Sequence, residues 1–487
     1  MLASTLSVFA AIAVVSARGD PFIECLSKIQ SSKAKLVTPS SPDYGQDRLG
    51  FNYYFNFNPR AVYHPATNAD AAAAIKCAAA NKVAVAPRSG GHSYEGYCEG
   101  GKDGALVIDL GNFKHFSMDT STNVATIGAG SRLGPIYSEL WNNGQYLIPA
   151  GTCPSVGIGG HALGGGLGLS GRKYGMASDN IVRMTMINSK GEILDVSPTS
   201  NTDLFFALRG AGGGSFGLVT EFQIQAYKAP PKVTSFDLNY PISKFSTVLD
   251  VYTSLASTAP EEFMAEMNID KTGIDIQGTF LGDKAGAEAV IAGIVKAAGK
   301  PKDQSVTEGT WLDAATAGAF ILNGTLADPV LGDARYARGG SLVYRSKSLS
   351  TKEKNIILKY LQNPAKEASA SYIIIDLWGG KIEKPKYPSA FDAHRGVVFG
   401  IEFISESGEP DSKPGLSCPT CLAWSQSFAK EIRAAYSSKQ LEAYQNYIER
   451  DMPIEAYYGK ELPRLKQVKK LTDPDNVFSF PQSIPLQ

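Results

Sequence analysis

The sequence predicts an α+β protein built as two domains. Three observations carry this. The chain has 487 residues, 43% of them hydrophobic, enough to bury two cores. Helical spacings and short β-branched runs are mixed along its whole length. The segment Ala229-Pro230-Pro231-Lys232 then separates an alanine- and glycine-dense half from a plainer one.

The first 17 residues, MLASTLSVFAAIAVVSA, are an apolar run ending in small residues, the pattern a signal peptidase accepts, so a secreted, extracellular protein is expected. The run is shorter than the ~20 residues a membrane-spanning helix needs, and no later segment is longer and apolar. After an N-terminal arm, Asn68 caps a predicted helix over 68–81. Strands are predicted over 83–86, 106–110 and 124–130, and a helix over 133–141 from apolar residues at helical spacing. Residues 181–187 and 192–196 flank Asn188-Ser189-Lys190-Gly191, a hairpin signal. A helix over 203–209 and a strand over 217–227 complete the first half; strands over 273–281 and 372–377 stand out in the second.

Lys+Arg and Asp+Glu are both 47, so no net charge points to nucleic acid or an anionic membrane. The lysine-rich stretch 466–470 reads as a solvated helix face. Six cysteines are present, and in an oxidising compartment they should pair unless they do other chemistry. Cys418 and Cys421 form CPTC without the second pair a zinc site needs, leaving a local disulfide or two free thiols, and no metal is expected. Asn323-Gly324-Thr325 is a glycosylation sequon.

Glycine is concentrated beside reactive side chains in three stretches: 87–93, 151–171 and 209–217. Loops in which backbone N–H groups approach a ligand closely suit a pyrophosphate, so a large phosphate-bearing cofactor is expected. Residues 166–171 and 212–217 each match GxGxxG, but neither lies between a strand and a helix with an acid about 20 residues on. Residues 213–217 match GxSxG with the helix and strand in the wrong order for a nucleophile elbow.

Arg88-Ser-Gly-Gly-His92-Ser-Tyr94 together with Gly151-Thr-Cys153-Pro-Ser-Val156-Gly-Ile-Gly-Gly-His161 strongly resembles the berberine-bridge-enzyme-like flavoproteins of the vanillyl-alcohol-oxidase superfamily. Arg172-Lys-Tyr174-Gly175, Leu208-Arg209-Gly210 and Asp473-Pro-Asp475-Asn476-Val477-Phe478 extend the resemblance over nearly the whole mature chain, with the fungal oligosaccharide oxidases as the nearest members. It implies a PCMH-type FAD-binding domain of two subdomains over 22–228. A substrate domain with an antiparallel sheet backed by helices would follow over 229–440, and residues 441–487 would return to the first domain. It implies FAD on two covalent tethers, His92 to the flavin 8α carbon and Cys153 to ring carbon 6. Arg88, Ser89, Gly90, Gly91, Ser93, Gly151, Val156, Gly157, Gly160, His161, Gly165, Asn180, Gly217 and Val219 would line the cofactor. It further implies a Cys25–Cys77 disulfide, which leaves Cys98 unpaired.

The same resemblance assigns chemistry. Tyr447, in Tyr444-Gln445-Asn446-Tyr447, corresponds to the base that takes the substrate hydroxyl proton, aided by Asp376 in Ile374-Ile375-Asp376-Leu377-Trp378-Gly379-Gly380. An acid following a run of isoleucines is costly to bury without a partner, which independently favours a function for Asp376. Tyr94 and Tyr444 fit positions that line a sugar site, and Tyr372 or Trp378 could stack on sugar. Val156 suggests that O2 can reach the reduced flavin. The implied reaction oxidises C1 of a reducing-end oligosaccharide to a lactone, with O2 leaving as H2O2. Departures at Tyr372, Ile374, Glu266, Asn268 and Glu402 set the chain apart from glucooligosaccharide oxidase. Two alternatives stand beside this reading: a berberine-bridge-like oxidase of an alcohol or secondary metabolite, and a non-enzymatic secreted binding protein. A monomer is expected, with oligosaccharide or small-molecule alcohol and O2 as partners, and neither nucleic acid nor membrane.

Overall fold

The computed structural model describes residues 20–319, 323–330, 336–408, 415, 417–436 and 441–487. The leader expected at 1–17 and the side chain of Asn323 lie outside the described residues.

Two sheets form the first half. The smaller runs Lys35–Val37, Ala61–His64, Leu106–Asp109, Val85–Arg88, its last three strands parallel. The larger is antiparallel throughout: Phe116–Asp119, Val124–Gly128, Leu218–Gln225, Ile181–Ile187, Ile193–Val196. Helix Asn68–Ala80 is capped by Thr67, one residue earlier than the sequence suggested. The reason is a reciprocal box in which the Thr67 hydroxyl accepts from Asp70 N–H and the Asp70 carboxylate accepts from Thr67 N–H. A disulfide joins Cys25 in helix Pro21–Ile29 to Cys77 in that helix. Cys418 and Cys421 are also bonded to each other, closing the N-terminus of helix Pro419–Ala435.

Strand pairing changes partners at 229–232. Tyr227–Lys228 still pairs with Tyr146–Leu147, whereas Val233–Tyr240 enters a seven-stranded sheet. That sheet is antiparallel and runs Asp303–Gly309, Val233–Tyr240, Ile274–Phe280, Phe263–Ile269, Ala370–Leu377, Phe399–Ser407, Tyr336–Tyr344. Helices Phe245–Thr258, Lys284–Ala298 and Thr351–Gln362 bury apolar stripes against it. The halves are bolted by Arg172, whose buried guanidinium donates to the carbonyls of Phe263 (2.8 Å), Ala256 (3.0 Å), Ala259 (3.0 Å) and Trp378. A charge buried at this depth needs such a set of acceptors.

The C-terminal helix Leu462–Thr472 packs back on the first half, and Val85 N–H donates to Val477 carbonyl at 2.8 Å. Here one expectation fails. Lys469, in the stretch read as a solvated face, is 0% exposed. Its ammonium donates to Asp473 (2.6 Å) and to the carbonyls of Ser215 and Phe478 (both 2.7 Å), because the loop 473–478 folds over it. Among the described residues no helix is long and apolar enough to cross a membrane.

Candidate active site

Two glycine loops meet backbone to backbone. A Cβ on Gly90 would lie 2.3 Å from Gly157 N, and one on Gly157 would lie 2.2 Å from Gly90 N. Neither position tolerates a side chain, and that contact brings the segments carrying His92 and Cys153 together. His92 Nε2 lies 2.9 Å from Ser155 Oγ, and Cys153 Sγ lies 3.4 Å from the same hydroxyl. The His92 ring stacks on Phe51 at 4.7 Å. Burial, with Arg132 nearby, pushes its pKa down to about 3, so the imidazole is neutral and nucleophilic. Ser155 received no role from the sequence, although its place two residues after Cys153 was the available signal.

The cavity above these loops has a volume of about 1490 Å³, beyond the roughly 300–1,000 Å³ of an ordinary small-molecule site. Residues 89–94, Gly151, Cys153, Val156, Gly157, Gly160, His161, Gly217 and Val219 line it. His161, kept neutral by burial at a pKa of about 4, accepts from Gly151 N–H through Nε2 at 2.9 Å and holds the loop in shape. Gly160 has open space where a Cβ would stand. A glycine-walled cavity of this size, with a neutral imidazole and a thiol converging on one hydroxyl, fits a flavin dinucleotide.

Three residues expected at the cofactor stand behind the cavity wall. Arg88 pairs with Asp109 beneath the 88–92 loop. Asn180 ties down a turn by donating to the carbonyls of Tyr174 and Met176. Gly165, at φ +128°, makes room for Phe391 and Tyr444.

The opposite wall is the face of the seven-stranded sheet. Tyr372, Ile374, Asp376, Glu402, Glu266 and Asn268 line it, and Tyr94 reaches towards Glu402 from the glycine loop. Tyr447 stacks on Tyr94 at 6.2 Å and 11° and lies edge-on to Tyr444 at 5.1 Å. Tyr444 faces away from the cavity; its hydroxyl accepts from Gly166 N–H at 2.8 Å and from Asn446 Nδ2 at 2.9 Å. Asn446 also donates to His161 carbonyl at 3.0 Å. The motif 444–447 is therefore a clamp that fixes Tyr447 against the glycine loops. Trp378 is not available to a sugar either: just past the end of strand Ala370–Leu377, it is fully buried, stacked on Phe391 at 5.6 Å and edge-on to Tyr444 at 5.6 Å, which cover it.

Asp376 is 4% exposed. Burial first, then the charge of Glu266, raise its pKa well above the carboxylate range, while a hydrogen bond from Tyr447 works the other way. Tyr447 is itself pushed up by burial and then by Asp376 and Glu402. Asp376 thus does not acidify the phenol through its charge. It stands as the group to which the phenol proton can pass.

A family model described as FAD binding domain matches residues 59–197, and one described as Berberine and berberine like matches 443–485. Chitooligosaccharide oxidase of Gibberella zeae is 31% identical, the match covering 93% of each chain. The chain belongs to the berberine-bridge-enzyme-like FAD-linked oxidoreductases. Xylooligosaccharide oxidase of Thermothelomyces thermophilus is 30% identical over 97% of each chain. Among solved structures, Physcomitrella patens BBE-like 1 superposes with a TM-score of 0.87 at 34% identity, covering 96% of this chain and 99% of that one. The glucooligosaccharide oxidase of Acremonium strictum, described with a 6-S-cysteinyl, 8α-N1-histidyl FAD, gives 0.83 at 26% identity, covering 96% and 99%. The protein is an FAD-binding oxidoreductase of the α+β, PCMH-type fold that this family shares.

Proposed function

We propose that this flavoenzyme is a secreted oxidase of reducing-end oligosaccharides, converting the C1 hydroxyl to a lactone and O2 to H2O2. The observation that carries this reading is the juxtaposition of Tyr447 and Asp376 on a cavity that continues along the sheet to the turn 270–273 and the loop 364–369. A small-molecule cyclase needs a closed pocket, whereas this cavity runs on past Tyr447 along the sheet face to Asp270 and Lys366. The oligosaccharide oxidases among its relatives support the same class of substrate.

FAD, when bound, supplies the hydride acceptor at N5 and passes electrons to O2. His92 and Cys153 would hold it covalently; with Nε2 of His92 engaged by Ser155, Nδ1 is the ring nitrogen that would be free for the bond. Tyr447 takes the C1 hydroxyl proton and hands its own to Asp376, so no free tyrosinate need exist in the resting site. Tyr94, Tyr372 and Glu402 orient the sugar. Val156 at the cavity wall keeps a path for O2. The cofactor unit comprises residues 22–228 with 441–487, the substrate unit 229–440, and the protein works as a monomer.

Mass spectrometry of the acid-denatured protein tests the tethers: FAD should stay attached to peptides containing His92 and Cys153, and free FAD in the supernatant would refute them. A panel of xylo-, cello-, malto- and chito-oligosaccharides with peroxide detection tests the reaction, and absence of turnover on all of them would sink the sugar reading.

A further inference from the structure

Glu266, Asp376 and Glu402 share one face of the sheet beside Tyr447, and Asp275 and Glu406 stand further along the same face. Glu266 stands directly opposite Asp376, and Glu402 stands opposite Ile374, one row along. Like charges placed opposite each other on a sheet destabilise it, more so away from water. Among the described residues, no lysine or arginine is among the main groups that act on any of the three. The cavity's lysines, Lys271, Lys302 and Lys366, lie in loops beyond the strand ends.

Two oxygens of this group are unpartnered. Asp376 Oδ2 and Glu402 Oε1 are buried with no hydrogen-bond partner, in side chains 4% and 2% exposed. Asp376 is needed for the proton of Tyr447. Glu402 plays no part in that transfer. It accepts from Tyr94, which stacks on Tyr447, and its second oxygen is left unengaged on the cavity wall. Glu266 is already steadied by Asn268 Nδ2 at 3.0 Å and Gln277 Nε2 at 3.4 Å.

A neutral sugar hydroxyl would be received as well by an amide, without the repulsion that two extra carboxylates impose on Asp376. Among the described residues no three acidic, histidine or cysteine side chains are grouped closely enough to hold a metal ion, so these carboxyls do not form a metal cage. What answers the arrangement is a compact cation brought by the substrate itself.

We propose that the substrate carries a free, protonated amine on the carbon next to the one oxidised, received by Glu402 and Glu266: a reducing-end 2-amino sugar. This rests on the oligosaccharide-oxidase reading above and specifies its substrate. The ammonium offsets the negative charge around Asp376 and Tyr447, so the proton-accepting pair is readied only when the correct sugar is seated. An N-acetylated sugar has lost that charge at the same position and cannot do so.

The test uses the purified holoenzyme at pH 6, below the ordinary titration of an amine. Peroxide release is compared for glucosamine oligomers, their N-acetylated counterparts and cello-oligosaccharides of equal length. kcat/KM should be at least tenfold higher for the free amines than for either neutral series. Equal or better turnover of a neutral series overturns the amine inference and leaves the oxidase reading standing. No turnover on any series removes both. In Glu402→Gln the preference for the amine should fall at least tenfold, and calorimetric binding of glucosamine tetramer should weaken at least tenfold with its salt dependence reduced. A preference and an affinity that survive the substitution overturn the assignment of Glu402.

Discussion

Glu266 and Asp376 are register partners on neighbouring antiparallel strands, so their carboxyl groups leave the same sheet face side by side. Asp376 therefore keeps its proton to a higher pH than an ordinary aspartate, through burial and then through Glu266. Activity that needs the Asp376 carboxylate rises with pH as that proton leaves, so the acid limb of kcat should lie above the usual carboxylate range near ~4. Glu266→Gln removes the charge contribution and should move the limb to lower pH. A pH–kcat profile on the best substrate checks this; a limb that stays put or moves up contradicts the arrangement.

Tyr447 carries the proton transfer in this scheme. Tyr447→Phe should lower kcat on the order of 10²–10⁴-fold, the range typical of a lost general base, while the protein stays yellow and covalently flavinylated. Asp376→Asn should lower kcat in the same direction and abolish the acid limb. Stopped-flow flavin reduction is the measurement; near-wild-type reduction in Tyr447→Phe would assign the proton elsewhere.

Lys469 and Asp473 form a fully buried ion pair that ties the C-terminal helix to Ser215 in the third glycine loop. Removing one member of a buried pair leaves the other uncompensated, at a cost of about 3–5 kcal/mol. Lys469→Met should lose that much stability in chemical denaturation, and Lys469→Met with Asp473→Asn should recover part of it. A loss below about 1 kcal/mol in the single variant would mean the pair is not holding the loop.

His64 sits between Asp47 (Nε2–Oδ2 2.7 Å) and Asp109 (Nδ1–Oδ1 3.4 Å), under the loop that carries His92. Burial pushes its pKa down, but the two carboxylates prevail and raise it from 6.5 to about 9. The folded state thus holds the proton more tightly, a contribution on the order of 3 kcal/mol, fully present below pH ~6.5 and lost as pH rises towards ~9. Wild-type Tm should fall across that window more steeply than that of His64→Gln. Parallel curves for the two proteins would rule the coupling out.

The cofactor half was legible because its signals are local. Gly90, Gly157 and the loops around them are dictated by backbone close approach, and His92 and Cys153 lie within a few residues of the glycines that bring them together. Helix and strand positions followed from spacing, with errors of a residue or two, as at Thr67. Lys469, Trp378 and Tyr444 were misread because other parts of the chain cover them: the 473–478 loop covers Lys469, Phe391 and Tyr444 pack over Trp378, and Gly166 draws the Tyr444 hydroxyl out of the cavity. A large phosphate-bearing cofactor could be read from the glycine loops before folding, whereas its two expected attachment points and the candidate proton acceptors Tyr447 and Asp376 were named only through the family resemblance of their motifs. Which carboxyl groups face one another could not be read, since register between strands more than a hundred residues apart depends on pairing across the whole sheet. That pairing set Glu266 against Asp376, put Glu402 one row away, and made the charge of the cavity a property of the fold.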